Sequence, residues 1–315
     1  MKKFVFVLFV SIVFLPVSLH AFTIGLVLGN MDNPYFVTMA NAAEVQAKLL
    51  GIDITVLDAN YDSATQLSQV ETLLQRKIDA IVINPTDSKA LIPAAEAAYE
   101  EGVPFVCIDR TVDSELISLD IESDNYMAGK LAAEYVADRL NGKGKIAIIY
   151  GTPGLSVMRE RTDGFMDEIK KYPNIEIVAE QNGDFNMADG MAAAEAILTA
   201  HPHEIDAIYA ENDPMALGTV QALKMFNYKK DEIFIVAVDA SPAGLDAMQK
   251  GDYIAFEAGQ QPRKMTAMAV TAAYLLAEDF KVETPDGSKR YFMEVVPVTI
   301  DNVDEWLETS VDGWH

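Results

Sequence analysis

Side chains that can form hydrogen bonds recur directly after short apolar segments of the sequence. Carboxylates, carboxamides and guanidinium groups can each engage two neighbouring hydroxyl groups, which both donate and accept. Aromatic rings offer flat apolar faces on which a sugar ring can pack. This combination predicts reversible binding of a neutral polyhydroxylated molecule. The side chains concerned are Asn30, Asp32, Asn33, Tyr35, Phe36, Asn84, Asp109, Arg110, Arg159, Arg161, Asp184, Phe185, Asn186, Asn212, Asp213, Asp239 and Gln260.

Several of these residues also have a purely structural interpretation. Asn33 precedes a proline and is a favourable N-cap, so its side chain could serve only to start a helix. Asp109 and Arg110 are adjacent and could pair only with each other at the surface. Arg159 and Arg161 are two positions apart on a predicted helix and cannot share a face, so at most one is expected to contact a ligand.

Other chemistries find little support in the sequence. Ser156, Asp109 and His201 are the residue types of a hydrolase triad, but no Gly-x-Ser-x-Gly elbow is present. His201 and His203 flank a proline without a third metal ligand nearby in sequence. Phosphate-loop and dinucleotide fingerprints are also missing. We therefore expect no catalytic activity, no metal and no cofactor, and keep a sugar-acting enzyme as an alternative.

Short apolar runs alternate with helical patterns along the chain, as in parallel α/β sheets covered on both faces. Helices are predicted between the runs, for instance at 63–76, 215–226 and 262–278. Two successive sets of such units predict two doubly wound α/β domains, whose ligands bind at the carboxyl ends of the strands. The predicted strands are 24–28, 54–57, 80–83, 103–108, 146–150, 175–179, 207–210, 233–238, 253–258 and 291–298.

Charge and cysteine content narrow the range of partners. The 315 residues include 24 basic and 48 acidic side chains, a formal net charge of −24. A phosphate backbone repels such a surface, so we expect no nucleic-acid partner. The single cysteine, Cys107, excludes an internal disulfide and a multi-cysteine metal site, and its apolar surroundings predict a buried thiol.

The first residues have the composition of an export signal. Lys2 and Lys3 precede an apolar run from 4 to 17, and a small residue, Ala21, follows it. This order is typical of a secretory signal peptide cleaved after Ala21. The run is short and contains Pro16, which argues against a membrane anchor. The expected location of the mature protein is the bacterial periplasm.

The sequence resembles the periplasmic pentose- and hexose-binding proteins of ABC importers, and the ribose-binding type is the most similar. The motifs that carry the resemblance occur in order through nearly all of the mature chain. The resemblance implies two similar lobes joined by three crossovers, with a ligand cleft between them. The motifs are Asn33-Pro34-Tyr35-Phe36, Ile83-Asn84-Pro85-Thr86-Asp87, Ile108-Asp109-Arg110, Ser123-Asp124-Asn125, Arg159-Glu160-Arg161 with Gly164-Phe165, Ala200-His201-Pro202, and Asn212-Asp213 with Met215-Ala216-Leu217-Gly218.

The resemblance also implies lobe boundaries and a ligand-binding set. Residues 22–124 and 261–288 form the expected N-terminal lobe, and residues 125–260 and 289–315 the C-terminal lobe. Ligand contacts carried over position by position fall on Asn33, Tyr35, Phe36, Asn84, Asp109, Arg110, Arg161, Phe185, Asn212, Asp239 and Gln260.

Three positions depart from the ribose pattern. Gly29 replaces a small hydroxyl residue, Tyr35 replaces a phenylalanine, and Val238 replaces an aromatic ring. The missing ring opens space and the added hydroxyl adds a polar contact. The expected ligand is therefore a monosaccharide or cyclic polyol, with ribose, a hexose and an inositol-like ring as the options.

The resemblance implies membrane permease subunits as partners and a monomeric, non-enzymatic binding protein. A sensor that presents its sugar to a membrane chemoreceptor uses the same fold and stays open as an alternative. Sugar-responsive repressors share the two-lobed core as well. They carry an N-terminal DNA-binding helix-turn-helix where this chain has the predicted export signal.

Overall fold

A computed structural model describes residues 21–309 and 314 of the chain. The predicted signal peptide falls, apart from Ala21, outside the described residues. No helix in the described part combines the length and apolar character needed to cross a bilayer. The strands are β1 (Thr23–Leu28), β2 (Asp53–Asp58), β3 (Ala80–Ile83), β4 (Phe105–Ile108), β5 (Leu119–Ser123), β6 (Lys143–Tyr150), β7 (Asn174–Asn182), β8 (Ala207–Ala210), β9 (Phe234–Asp239), β10 (Ile254–Gly259), β11 (Arg290–Met293) and β12 (Val296–Val298).

Helices occupy most of the connections between these strands. They are α1 (Pro34–Leu50), α2 (Ser63–Gln75), α3 (Ile92–Glu100), α4 (Asn125–Arg139), α5 (Ser156–Ile169), α6 (Met187–Ala200), α7 (Asp213–Met225), α8 (Pro242–Gln249), α9 (Pro262–Ala277) and α10 (Val303–Thr309).

The strands form two six-stranded sheets, one in each lobe. The N-terminal lobe has the order β11-β5-β4-β3-β1-β2, with α1 and α9 packed on one face and α2 and α3 on the other. The C-terminal lobe has the order β12-β10-β9-β8-β6-β7, with α4 and α5 on one face and α6, α7 and α8 on the other. Only β12 runs antiparallel to its neighbour among the described strand pairs. The predicted fold, two doubly wound parallel-sheet lobes, is confirmed.

Local sequence signals explain where the elements begin and end. Strand β1 is almost wholly buried because helices cover both faces of its sheet. Asn33 caps α1 by accepting a hydrogen bond from the backbone N–H of Tyr35, and Pro34 occupies the first helical position. Gly51 ends the helix in a left-handed conformation with φ 71°. The site residues Tyr35 and Phe36, in the first turn of α1, are thereby held on a rigid helix.

The chain passes between the lobes three times, and the third passage differs from the sequence prediction. The single strand predicted at 291–298 is two strands: β11 pairs with β5 in the N-terminal lobe, and β12 pairs with β10 in the C-terminal lobe. The boundary at 288/289 was therefore wrong, because Arg290–Met293 extends the first sheet. The other passages lie between β5 and α4 and between β10 and α9.

Helices α4 and α5 are in backbone contact at two glycines. A Cβ atom at Gly129 would lie 2.0 Å from the carbonyl oxygen of Arg161, and one at Gly164 would lie 1.9 Å from that of Tyr126. Both distances are far below van der Waals contact. The close approach of these helices, which carry Arg161, therefore requires glycine at both positions.

We expect Gly164→Ala to force α4 and α5 apart and to lower the free energy of unfolding by roughly 1–3 kcal/mol, as overpacking does elsewhere. Guanidinium denaturation followed by circular dichroism measures the change. Asp163→Ala, at the exposed neighbouring position, is the matched control and should stay within about 0.5 kcal/mol of the wild type. Equal stability of both variants would contradict the packing argument.

Candidate functional site

Ten of the eleven predicted site residues line one cavity between the lobes, together with Val157. The space between these side chains amounts to about 320 Å³, part of which is open to solvent. The N-terminal lobe contributes five predicted residues and the C-terminal lobe the other five. From the N-terminal lobe these are Asn33, Tyr35, Phe36, Asp109 and Arg110; from the C-terminal lobe they are Arg161, Phe185, Asn212, Asp239 and Gln260.

Asn84, the eleventh predicted residue, lies directly behind the cavity wall. Its side-chain amide donates to Oδ2 of Asp109 at 2.8 Å and to the carbonyl of Ile108 at 3.2 Å. The Gln66 side chain in turn donates to the backbone carbonyl of Asn84. Asn84 therefore orients the Asp109 carboxylate, which follows the end of β4.

The Asp109 and Arg110 side chains pair with each other, at 3.6 Å between Arg110 Nε and Asp109 Oδ2. Both are buried, so the surface interpretation of the pair is wrong. The Arg110 guanidinium lies over the Phe36 ring at 5.2 Å. Its Nε and Nη1 atoms have no hydrogen-bond partner within the described part of the chain. Arg110 therefore keeps donor capacity at the cavity.

Arg161 is the central cation of the C-terminal wall. Its Nε donates to Oδ1 of Asn125 at 2.9 Å and its Nη1 donates to the carbonyl oxygen of Glu211 at 2.6 Å. The guanidinium carbon lies 5.7 Å from the centre of the Phe185 ring. Arg159 is exposed, so only one of the two arginines reaches the cavity. This agrees with the expectation from their spacing.

The Phe185 ring packs directly on Gly151, where a Cβ atom would lie 1.9 Å from the ring. The Asn212 side chain donates to the carbonyl of Phe185 at 3.1 Å and caps α7 by accepting from the N–H of Met215. Glycine at 151 thus makes room for the aromatic wall, and Asn212 fixes the loop that carries it.

One hydrogen-bond chain crosses the cleft from one lobe to the other. The Tyr35 hydroxyl donates to Gln260 Oε1 at 3.2 Å, and Gln260 Nε2 donates to Asp239 Oδ1 at 2.6 Å. Burial and the charges of Asp109 and Asp239 raise the pKa of Tyr35, which keeps its hydroxyl protonated. Burial and the nearby Asp213 carboxylate raise the pKa of Asp239 to about 8.

Two further carboxyl groups lie behind Asp239. The Asp213 and Glu257 side chains both lie against Gly244, and both are buried. Backbone N–H groups hold them in place: Ser241 donates to Asp213, and Ala240 donates to Glu257. Burial and the Asp213 charge raise the pKa of Glu257, so we assign it as the neutral partner of the pair.

Unusual backbone conformations concentrate where strands end at the cavity. Asp109 has φ 65°, Phe185 has φ 57° and Asp239 has φ 128°, all in a region that side chains other than glycine seldom adopt. Such conformations persist where the surrounding structure determines them, and they are common at functional sites. The backbone thus turns sharply at these three site residues.

Sequence reasoning missed several residues that shape the cavity. Val157 lines it, Asn125 holds Arg161, and Glu211 accepts from the N–H of Gly151 and the hydroxyl of Thr162. Burial raises the pKa of Glu211 to about 7. Glu211 precedes Asn212 after β8, which is the signal that could have identified it. No sequence signal identifies Val157 as a cavity residue, because an apolar residue in a helix is usually predicted to pack in the hydrophobic core.

Other polar candidates from the sequence lie at the mouth of the cleft. Asn30, Asp32 and Asn186 border an outer groove between the lobes instead of the inner cavity. Asp213 lies in the first turn of α7, behind Asp239, and Asn212 is the residue that caps this helix.

The serine and the two histidines considered for catalysis and metal binding make other contacts. Ser156 accepts a hydrogen bond from the backbone N–H of Thr111 across the cleft, while His201 caps the end of α6. His203 stacks on Tyr228 at 4.4 Å and faces Glu232. Within the described residues, no group of three or more histidine, cysteine or acidic side chains is placed to hold a metal ion.

Known proteins match both this sequence and this geometry. The chain is 36% identical to the ribose import binding protein of Bacillus subtilis over 262 residues, 83% of this chain and 84% of that protein. Its structure matches a Bacillus halodurans ABC transporter solute-binding protein with bound myo-inositol at a TM-score of 0.85 and 30% identity, covering 90% of this chain and 96% of the other.

A galactofuranose-binding protein matches with a TM-score of 0.87 and 26% identity, covering 93% of this chain and all of the other. The family model described as periplasmic binding protein domain matches residues 24–281. With the two-lobed fold and the shared cleft already established, these matches show that the chain belongs to the periplasmic binding protein family.

Proposed function

We propose that this chain captures one monosaccharide or cyclic polyol between its lobes and delivers it unchanged to the membrane subunits of an ABC permease. The observation that carries the proposal is the single cavity in which carboxylates, guanidinium groups, carboxamides and aromatic rings from both lobes converge. Such a cavity can bond every hydroxyl of a small ring while its aromatic side chains cover the apolar faces.

The polar groups of the cavity suit a neutral polyol. Asp109 and Asp239 supply carboxyl groups and Arg110 and Arg161 supply guanidinium groups, so hydrogen-bond acceptors and donors both occur among the lining residues. A polyol can donate to the carboxylates and accept from the guanidinium groups without carrying charge itself.

The relatives support the same ligand class. They include ribose import binding proteins and a xylitol-binding protein of Mycolicibacterium smegmatis, 30% identical over 270 residues. The similar solved structures hold myo-inositol in one case and D-allose in another. Pentoses, hexoses and cyclic polyols are therefore all candidate ligands.

Three residues favour a ligand other than ribose alone. Gly29 has no side chain that could cover the nearby polar atoms of Asn84 and Arg110. The Tyr35 hydroxyl adds a polar group bonded to Gln260 at the cleft. Val238 is buried in the C-terminal core and supplies no aromatic wall. A ring with more hydroxyls than ribose, such as a hexose or inositol, fits these differences.

Closure of the lobes couples binding to a change of shape. Direct contacts between the lobes include Tyr35 with Gln260, the Thr111 backbone with Ser156, and Arg290 with Glu160 at 3.2 Å. A ligand bonded to both lobes stabilises the closed form, because only that form makes both sets of contacts. The closed form then presents a joint surface to the permease.

The family and the predicted export signal support the proposed setting. Members of the family are periplasmic binding proteins, and the relatives above are import binding proteins. We propose that this chain is exported, works as a monomer and performs no catalysis on its sugar.

A screen of sugars tests the function directly. Purified protein is heated with D-ribose, D-allose, L-arabinose, myo-inositol and xylitol, and hits are measured by calorimetry. At least one compound should raise the melting temperature, since it binds only the folded state. Chromatography should then recover that compound unchanged. Absence of any shift, or conversion of the sugar, would overturn the proposal.

Arg161→Ala should weaken binding of the sugar found in the screen by more than about 2 kcal/mol, roughly thirtyfold in the dissociation constant. The loss includes the sugar contact and the buried partners Asn125 and Glu211 that would be left unpaired. Calorimetry measures the change. Arg159→Ala, on the same helix but exposed, is the control and should bind normally. Equal affinity of Arg161→Ala and wild type would refute the assignment.

Stability should fall as pH rises from about 5 to about 8. The raised pKa values of Asp239 and Glu257 mean that the folded protein keeps protons which the unfolded chain releases above about pH 4. Unfolding therefore releases protons, and the free energy of unfolding decreases with pH. Chemical denaturation at several pH values measures the slope.

Glu257→Gln removes one of these titrations and replaces the carboxyl group by an amide of similar size. The slope should become shallower by up to about 1.4 kcal/mol per pH unit, the value for one proton. Glu71→Gln, at an exposed position on α2, is the control and should leave the slope unchanged. An unaltered slope in Glu257→Gln would show that Glu257 is ionised in the folded protein.

A further inference from the structure

The two tryptophans of the chain lie near its C-terminus and pack in different lobes. Trp306, on α10, belongs to the C-terminal core and covers Gly259, where a Cβ atom would lie 2.8 Å from its ring. Trp314 belongs to the N-terminal core instead and is only 7% exposed. The end of the chain therefore contacts both lobes, in addition to the three passages described above.

Trp314 contacts one cavity-lining residue from each lobe. Its ring meets the Tyr35 ring edge-on, with centroids 5.4 Å apart and planes at 75°. Its indole Nε1 donates a hydrogen bond to the backbone carbonyl of Asp239 at 3.2 Å. Trp314 does not itself line the cavity. Any effect on a bound sugar must act through Tyr35 and Asp239.

We propose that Trp314 is a positioning residue of the sugar site: it supports the Tyr35 ring and ties it to Asp239 when the lobes are closed. The proposal rests on the proposed function, since it concerns the same site. Tyr35 and Asp239 also meet through Gln260. Trp314 thus adds a second link between the two residues, outside the cavity.

The two contacts of Trp314 can coexist only while the lobes are together. Tyr35 moves with the N-terminal lobe and Asp239 with the C-terminal lobe, so opening the cleft separates them. An interaction present only in the closed form stabilises that form and slows release of the sugar. Removing it should act mainly on the dissociation rate, as is usual among variants of one binding site.

Fluorescence of Trp314 alone tests its position. Trp306→Phe, which changes a core residue that does not line the cavity, leaves Trp314 as the sole tryptophan. Acrylamide quenching is measured without sugar and with D-ribose or myo-inositol, whichever binds in calorimetry. Quenching should be weak with saturating sugar and stronger without it. If Trp306→Phe does not fold, fluorine NMR of wild-type protein labelled with 5-fluorotryptophan reports the same environment, with Trp314→Phe identifying the resonance.

Affinity measurements test the positioning role. Trp314→Ala should raise the dissociation constant about tenfold, chiefly through faster dissociation, and it should also lower the melting temperature of sugar-free protein because Trp314 packs in the N-terminal core. Trp314→Phe keeps a ring beside Tyr35 but loses the hydrogen bond, so it should lie between Trp314→Ala and wild type. A purely structural residue would lower the melting temperature of sugar-free protein without this graded loss of affinity.

Two results would overturn the proposal: binding by Trp314→Ala within twofold of wild type, or strong quenching of Trp314 at saturating sugar. Failure of the wild type to bind any sugar would instead contradict the proposed function. The sugar-free quenching data would then decide the position of Trp314 by comparison with Tyr35→Ala. Equal quenching in both proteins would exclude the contact with Tyr35.

Discussion

Parallel strands bring their carboxyl ends to a single edge of a sheet, and the whole site depends on this constraint. In each lobe the residues that follow the strands gather at one edge, and the two edges face each other across the cavity. The chain leaves these strands through left-handed conformations at Asp109, Phe185 and Asp239. Residues far apart in sequence therefore meet without any long loop, and the side chains of the cavity start within a strand or helix or a few residues from one.

Hydrogen bonds from neighbouring residues fix the orientation of the buried charged side chains in the cavity. Arg161 is fixed by Asn125 and the Glu211 carbonyl, and Asp109 is fixed by Asn84. Their orientations are thus set by the protein, and a ligand that fits them loses little binding energy to ordering side chains. Among the described residues, Arg110 Nε and Nη1 are buried donors that make no hydrogen bond, and such donors are costly unless bonded. A hydroxyl oxygen in the cavity is the kind of acceptor that relieves this cost.

The sequence predicted the fold and most of the cavity because apolar strands followed by polar residues are a local signal. Asp109 and Asp239 each stand directly at the end of such a run. Strand β5 escaped prediction since it contains Asp120 and Glu122, which resemble a surface segment. Both acids are fully buried, and Arg290 on the neighbouring β11 pairs with them. That pairing joins residues about 170 positions apart in the sequence, so no local pattern could reveal it. For the same reason the sequence did not show that the chain passes between the lobes from β11 to β12.

The residues that bind and the residues that connect the lobes are close neighbours in the chain. Asn125, which holds Arg161, is the first residue of α4 after the first passage, and Gln260 directly follows β10 at the second. Arg290 begins the strand before the third passage and bonds Glu160 across the cleft. A small rotation at these passages therefore displaces the cavity walls themselves. For this reason a contact formed with a sugar acts directly on the segments that determine whether the lobes are open or closed, and no long relay through the core is required.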